Sequence, residues 1–89
     1  MNNRHRRDSN HKEIVKSLRQ LPGISFVDLS QVGDGCPDLL VADWRGTALV
    51  EIKRDKKEKL RESQELFRKN WHGKIIKATT IEEIITGLK

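Results

Sequence analysis

Two apolar runs, Asp38 to Asp43 and Thr47 to Lys53, stand either side of Arg45-Gly46, and no other feature of this chain restricts its fold so strongly. Short runs rich in Leu, Val and Ile around a glycine-containing turn pair as a β-hairpin, because each strand then satisfies the other's backbone N–H and C=O groups. Taking Arg45 and Gly46 as the two central turn residues sets Asp38 across from Lys53 and Leu40 across from Glu51. Leu39, Val41, Val50 and Ile52 then share one face, and Leu40, Ala42 and Leu49 the other, which predicts cover above and below the sheet.

A lone hairpin is at best marginal in water, so further elements must bury it. Ile14, Val15 and Leu18 recur at helical spacing between Asn10 and Gln20, and Pro22-Gly23 stops that helix. Ile24 to Leu29 reads as a strand, and Ser30 to Pro37, with Gly33-Asp34-Gly35, as a loop through which backbone comes near a substrate. Glu58 to Trp71 carries Leu60, Ser63, Gln64, Phe67 and Trp71 on one helical stripe, and Gly73 ends it. Lys74 to Thr79 reads as a strand, and Thr80-Ile81-Glu82-Glu83 as a capping box opening a last helix that reaches Leu88. The order αβββαβα describes one α/β domain over residues 10–89, a mixed central sheet flanked by helices, preceded by a flexible basic arm over residues 1–9.

With 89 residues, 35% of them hydrophobic, the chain can bury one core. Its net charge of +5 favours a polyanionic partner, the more so because the basic residues cluster. Arg4, Arg6, Arg7 and Lys12 lie near the start, and Lys56, Lys57, Lys59 and Arg61 follow the second hairpin strand; both groups are candidates for gripping phosphates. The single cysteine, Cys36, excludes an intramolecular disulfide or a thiolate zinc cage and points to a reducing, cytoplasmic setting. No apolar run follows the charged start or approaches about 18 residues, so neither secretion nor a membrane span is expected. Gly33-Asp34-Gly35 lacks the Lys-Ser/Thr of a phosphate-cradling loop, which argues against a nucleotide cofactor. His5, His11 and His72 have no ligand spacing and read as surface or phosphate-contacting residues, while Trp44 and Trp71 read as packing or interface residues.

The hairpin carries charges among apolar neighbours, a costly arrangement unless they are paired or bind a metal. Asp38, Glu51 and Lys53 project from the same side, with Asp38 and Glu51 diagonal neighbours roughly 7 Å apart at the backbone. A simple Lys53–Asp38 pair leaves Glu51 beside a like charge, a repulsion that a divalent cation relieves. Hard oxygen donors without a Cys or His cluster select Mg²⁺ or Mn²⁺ over zinc.

Gly35-Cys36-Pro37-Asp38-Leu39-Leu40-Val41 followed by Ala48-Leu49-Val50-Glu51-Ile52-Lys53 resembles the PD-(D/E)XK nuclease signature. With Gln64 on the following helix, the pattern is similar to that of virus-type replication-repair nuclease (VRR-NUC) domains, and the likeness runs from about Glu13 to the C-terminus. That resemblance implies a restriction-endonuclease-like fold and a metal-dependent endonuclease that hydrolyses phosphodiester bonds in DNA. Asp38, Glu51 and the backbone carbonyl of Ile52 would hold the Mg²⁺ or Mn²⁺, Lys53 would orient or activate the attacking water, and Gln64 would support the site or face the substrate. Glu13 would either complete the metal shell or, with Asn10 as cap, close a capping box on the first helix. Small size and the prevalence of two-fold assemblies make a homodimer cutting branched DNA, such as a four-way (Holliday) junction in replication or repair, the leading expectation. A non-catalytic nucleic-acid-binding module of the same fold, or a sequence-specific or RNA-cutting nuclease, is the alternative.

Overall fold

A computed structural model describes residues 9–89, and the hairpin lies at the centre of the protein as β2 (Leu39–Asp43) and β3 (Gly46–Ile52). Its register differs from the expected one: Asp43 pairs with Gly46 and Leu39 with Val50, so the turn residues are Trp44 and Arg45. The cause is the side chain of Asp43. Its Oδ1 accepts the Arg45 backbone N–H at 2.8 Å, and its Oδ2 accepts the Arg45 guanidinium at 2.7 and 3.0 Å. This Asx-type contact turns the chain one residue early. Neither Trp44 nor Arg45 has the positive φ that primed hairpin turns require. The ladder moves by two residues, an even step, so every side chain keeps its expected face.

Strand β1 (Ser25–Asp28) joins antiparallel to β2, and β4 (Ile75–Ala78) parallel to β3, giving the sheet order β1-β2-β3-β4. The parallel pair needs a crossover, which α2 (Glu62–Asn70) supplies. On one face of the sheet, Leu39, Val41, Val50, Ile52 and Ala78 pack with Ile14 and Leu18 of α1 (Ser9–Gln20) and with Ile84 of α3 (Ile81–Gly87) and Leu88. Each of the Leu, Ile and Val side chains among them contributes roughly 1.5–3 kcal/mol by leaving water. The other face is covered only in part. Leu49 and Glu51 are buried there, Glu51 against Gln64 of α2, Leu40 and Ala42 are half-buried, and Val27 of the edge strand is 54% exposed. The expectation of full cover above and below therefore holds for one face alone.

Helix α2 begins at Glu62, four residues later than the spacing predicts. Asp55 Oδ1 accepts the N–H groups of Lys57 and Glu58 at 2.8 and 3.0 Å, and Glu58 Oε1 accepts that of Arg54 at 2.8 Å. These local bonds compete with helix formation. Leu60, Lys56, Lys57 and Lys59 therefore lie in the preceding loop. The capping box on α3 forms as expected: Thr80 Oγ1 accepts the Glu83 N–H, and Glu83 Oε1 accepts the Thr80 N–H, both at 3.2 Å. The alternative box on α1 does not form, because Asn10 lies inside the helix and its amide donates instead to the carbonyls of Lys53 and Thr79. No helix among the described residues is long and apolar enough to cross a membrane.

Candidate active site

Asp38 sits one residue before β2, and the register carries it directly across from Glu51 rather than diagonally. Its Oδ2 accepts the Ile52 N–H at 2.8 Å, which anchors the carboxylate at the strand end. Glu51 is only 5% exposed. Burial, then the charge of Asp38, pushes its pKa up to about 8, while Lys53 and Arg61 pull the other way without cancelling the rise. Around neutral pH the Glu51 carboxyl therefore holds a proton and is hydrogen-bonded to Asp38.

Lys53 follows β3 and is equally buried, with its Nζ 3.8 Å from Glu51 Oε2. Between the two stands Gln64, on the sheet-facing side of α2. Its Nε2 donates to Glu51 Oε2 at 2.9 Å, and its Oε1 accepts from Lys53 Nζ at 3.1 Å and from the Arg61 backbone N–H at 2.8 Å. One amide thus satisfies an acid, a base and the start of its own helix. Polar groups this buried cost free energy unless hydrogen-bonded, which explains why a glutamine occupies a stripe position that would otherwise take an apolar side chain.

Gly35 lets α2 come this close. A Cβ there would stand 2.1 Å from the Ser63 carbonyl oxygen. Gly33, Asp34 and Gly35 all have positive φ, at 82°, 55° and 79°. Within this loop Gly35 is a seat for the first turn of α2. Cys36, next in the chain, is half-buried beside the two carboxyls; burial, then Glu51 and Asp38, raise its thiol pKa and keep it neutral. The sequence marked Cys36 only as an indicator of redox setting, and it gave no sign that Asn10 ties α1 to the Lys53 carbonyl.

The structure unites Asp38, Glu51, Lys53 and Gln64, but not the remaining candidates. Glu13 is exposed and lines a separate cleft with Asn10, Ser17 and Thr79 to Glu82, so it neither joins the carboxylate pair nor caps α1. Lys12, Lys57 and Lys59 are exposed, and Lys56 Nζ lies 3.9 Å from Glu83 Oε2. Arg61, at the N-cap of α2, acts on Glu51 through its charge. Arg4, Arg6, Arg7 and His5 lie outside the described residues. His11 is 4% exposed rather than on the surface, whereas His72 is exposed. Trp71 stacks on Phe67 with centroids 5.5 Å apart, and Trp44 is bare at the hairpin turn.

Among the described residues no three His, Cys, Asp or Glu side chains gather as a metal cage. The candidate donors are Asp38, Glu51 and the Ile52 carbonyl. In an extended strand a residue's N–H and C=O point to the same side, so the Ile52 carbonyl opens toward the side from which its N–H meets Asp38. Two carboxyls crowded enough that one keeps a proton form a donor set that a hard divalent cation fits, with its remaining positions left to water or phosphate oxygens. Comparison with protein-family models, curated proteins and solved structures finds no match to this chain.

Proposed function

We propose that the protein is a Mg²⁺- or Mn²⁺-dependent endonuclease of the PD-(D/E)XK type, with the restriction-endonuclease-like fold, that hydrolyses phosphodiester bonds in DNA. The observation that carries this reading is the Gln64 amide joining Glu51 to Lys53 beside Asp38. A purely structural ion pair does not account for it. Apolar residues of similar volume usually stabilise a core as well as or better than a buried ion pair, and a second carboxyl set against Asp38 has to keep its proton near neutral pH, at a cost in stability as pH rises. Groups held at such a cost are characteristic of sites where chemistry is done.

Each residue has a role in this reading. Ile52 N–H anchors Asp38 and the Gln64 amide anchors Glu51, so both carboxyls are held at the same strand end. A divalent ion bound there would lower the pKa of the attacking water and offset the charge that builds on the phosphate. Lys53, its ammonium fixed by Gln64 Oε1, orients that water and stabilises the same charge, and Arg61 at the mouth of the site adds to the field. The proposed substrate is branched DNA such as a four-way junction, cut in pairs by a homodimer in an intracellular replication or repair setting.

Purified protein with Mg²⁺ or Mn²⁺ should nick labelled DNA, branched before linear, and Glu51→Ala should lose at least about a hundredfold in cleavage while DNA binding persists. Binding that ignores divalent metal, no cleavage of any branched, linear or RNA substrate, and no ion uptake by calorimetry would together leave only the binding-module alternative.

A further inference from the structure

The outer side of α1 bears a cleft lined by His11, Lys12, Val15, Lys16, Arg19 and Gln20. Lys12, Lys16 and Arg19 follow one another at helical spacing, so their charges form a single stripe. Like charges four apart weaken a helix unless something opposite answers them. Several cations elsewhere are answered, Arg45 by Asp43, Arg54 by Glu58, Lys56 by Glu83 and Lys74 by the carbonyls at the end of α3, and within the stripe the Arg19 guanidinium lies 5.9 Å from the centre of the Phe26 ring. Among the described residues, no carboxylate lies within ion-pair distance of Lys12, Lys16 or Arg19.

A second observation lies at the end of the stripe. His11 is 4% exposed, and its Nε2 is buried with no hydrogen-bond partner; the nearest carboxylate oxygen, Asp28 Oδ2, is 3.9 Å away. Buried nitrogens without partners are rare, and this one belongs to a residue lining a cleft whose charged groups are all cationic. Position supplies the third observation. The amide of Asn10 donates to the Lys53 carbonyl, so the stripe starts two residues after the one that ties α1 to the strand end carrying the candidate active site. From Lys12 to Arg19 it runs about 10 Å along the helix, the rise of about three nucleotides of one DNA strand.

We propose that this α1 cleft is a phosphate-binding subsite that takes the sugar-phosphate backbone of the DNA strand running on from the cleavage point. It rests on the nuclease reading for its substrate, but its residues are distinct from the site that would cut. Lys12 and Lys16 neutralise successive phosphates, Arg19 takes the next, and His11 meets a phosphate oxygen at the site end.

The test is the salt dependence of binding to a labelled branched DNA, with chelator present, for wild type and for Lys12→Gln/Lys16→Gln. Losing two phosphate contacts should lower the slope of log affinity against log salt by about 1.8 and weaken binding on the order of fiftyfold at about 0.1 M salt. With metal, KM should rise by a similar factor while kcat at saturating DNA is unchanged. The variant should fold, because it removes a repulsive pair. His11→Leu should weaken binding about tenfold with the slope unchanged. Lys69→Gln/Lys89→Gln, with the same loss of charge, should leave the slope nearly as it was. A wild type that binds no DNA, an unchanged slope in the α1 variant, or an equal fall in both double variants would overturn the subsite. Cleavage with an unchanged slope defeats the subsite alone; α1-dependent binding without cleavage under any divalent metal defeats the nuclease reading alone.

Discussion

Replacing Glu51 by glutamine should make the metal-free protein more stable at alkaline pH. The carboxyl has an ordinary pKa of 4.5 and is pushed up to about 8 in the fold, first by burial and then by Asp38. Above about pH 4.5 the unfolded chain has released this proton while the folded chain still holds it. Unfolding therefore releases a proton, and stability falls as pH rises until the folded group also ionises near pH 8. At about 1.4 kcal/mol for each pH unit between those values, the ceiling is about 5 kcal/mol. Water entering beside the half-exposed Asp38 and side-chain relaxation reduce this, and a net loss of about 2–3 kcal/mol is the working figure.

A glutamine at position 51 mimics the protonated acid: it offers an N–H to Asp38 and keeps an oxygen for the Gln64 amide, which now donates to Glu51 Oε2 at 2.9 Å. Urea unfolding with chelator present should thus give equal midpoints for wild type and Glu51→Gln near about pH 5. Near about pH 9 the variant should be more stable by about 2–3 kcal/mol. Adding Mg²⁺ at the higher pH should raise the wild-type midpoint and leave the variant's unchanged, since binding to the folded state alone stabilises it. A variant equal to or weaker than wild type at both pH values would refute the claim that Glu51 is held against its own ionisation.

Two further substitutions test what holds the site in place. Gln64→Met keeps the side-chain volume but strands Lys53, Glu51 and the Arg61 N–H; because Lys53 can close its 3.8 Å gap to Glu51, the expected loss is about 2–4 kcal/mol rather than the full sum, measured by urea unfolding. A loss below about 0.5 kcal/mol would show that water satisfies the pair. Gly35→Ala should cost about 2–4 kcal/mol and lower cleavage, because its Cβ meets the Ser63 backbone and displaces Gln64. Gly23→Ala, with a comparable φ of 80° but nothing within 4 Å, should cost only about 1 kcal/mol, and equal losses at the two glycines would count against the contact with α2.

Much of this architecture is legible in the sequence, and the reason differs from element to element. The hairpin appeared from its two apolar runs, yet the turn was misplaced because Arg45-Gly46 resembled a primed turn while the oxygens of Asp43 set the actual one. The site survived that error through parity alone: an odd displacement would have sent Glu51 into the α1–α3 core. The late start of α2 depends on Asp55 and Glu58 making local bonds, a contest between turn and helix that spacing does not decide. Partial cover of the second face was equally hidden, because half-buried Leu40 and Ala42 look the same in sequence as buried Leu49. The tie made by Asn10 was hidden too, since its amide reaches Lys53 across 43 positions of sequence while local spacing offers it only as a cap for α1.

Gln64 joins these strands of reasoning, because its side chain serves fold and site with the same atoms. As the third residue of α2 it accepts the N–H of the capping position, a task that normally falls to a Ser- or Thr-led box but here follows Arg61. The same oxygen holds the Lys53 ammonium, and the other end of the amide holds Glu51. Helix start and site geometry are consequently one equilibrium: if the first turn of α2 frays, the acid and the base lose their shared partner together. Gly35 sets the same condition from below, since the turn can rest there only while no side chain intervenes. A site so built is ordered only when the domain is, so conditions that loosen α2 should cost activity before they unfold the sheet.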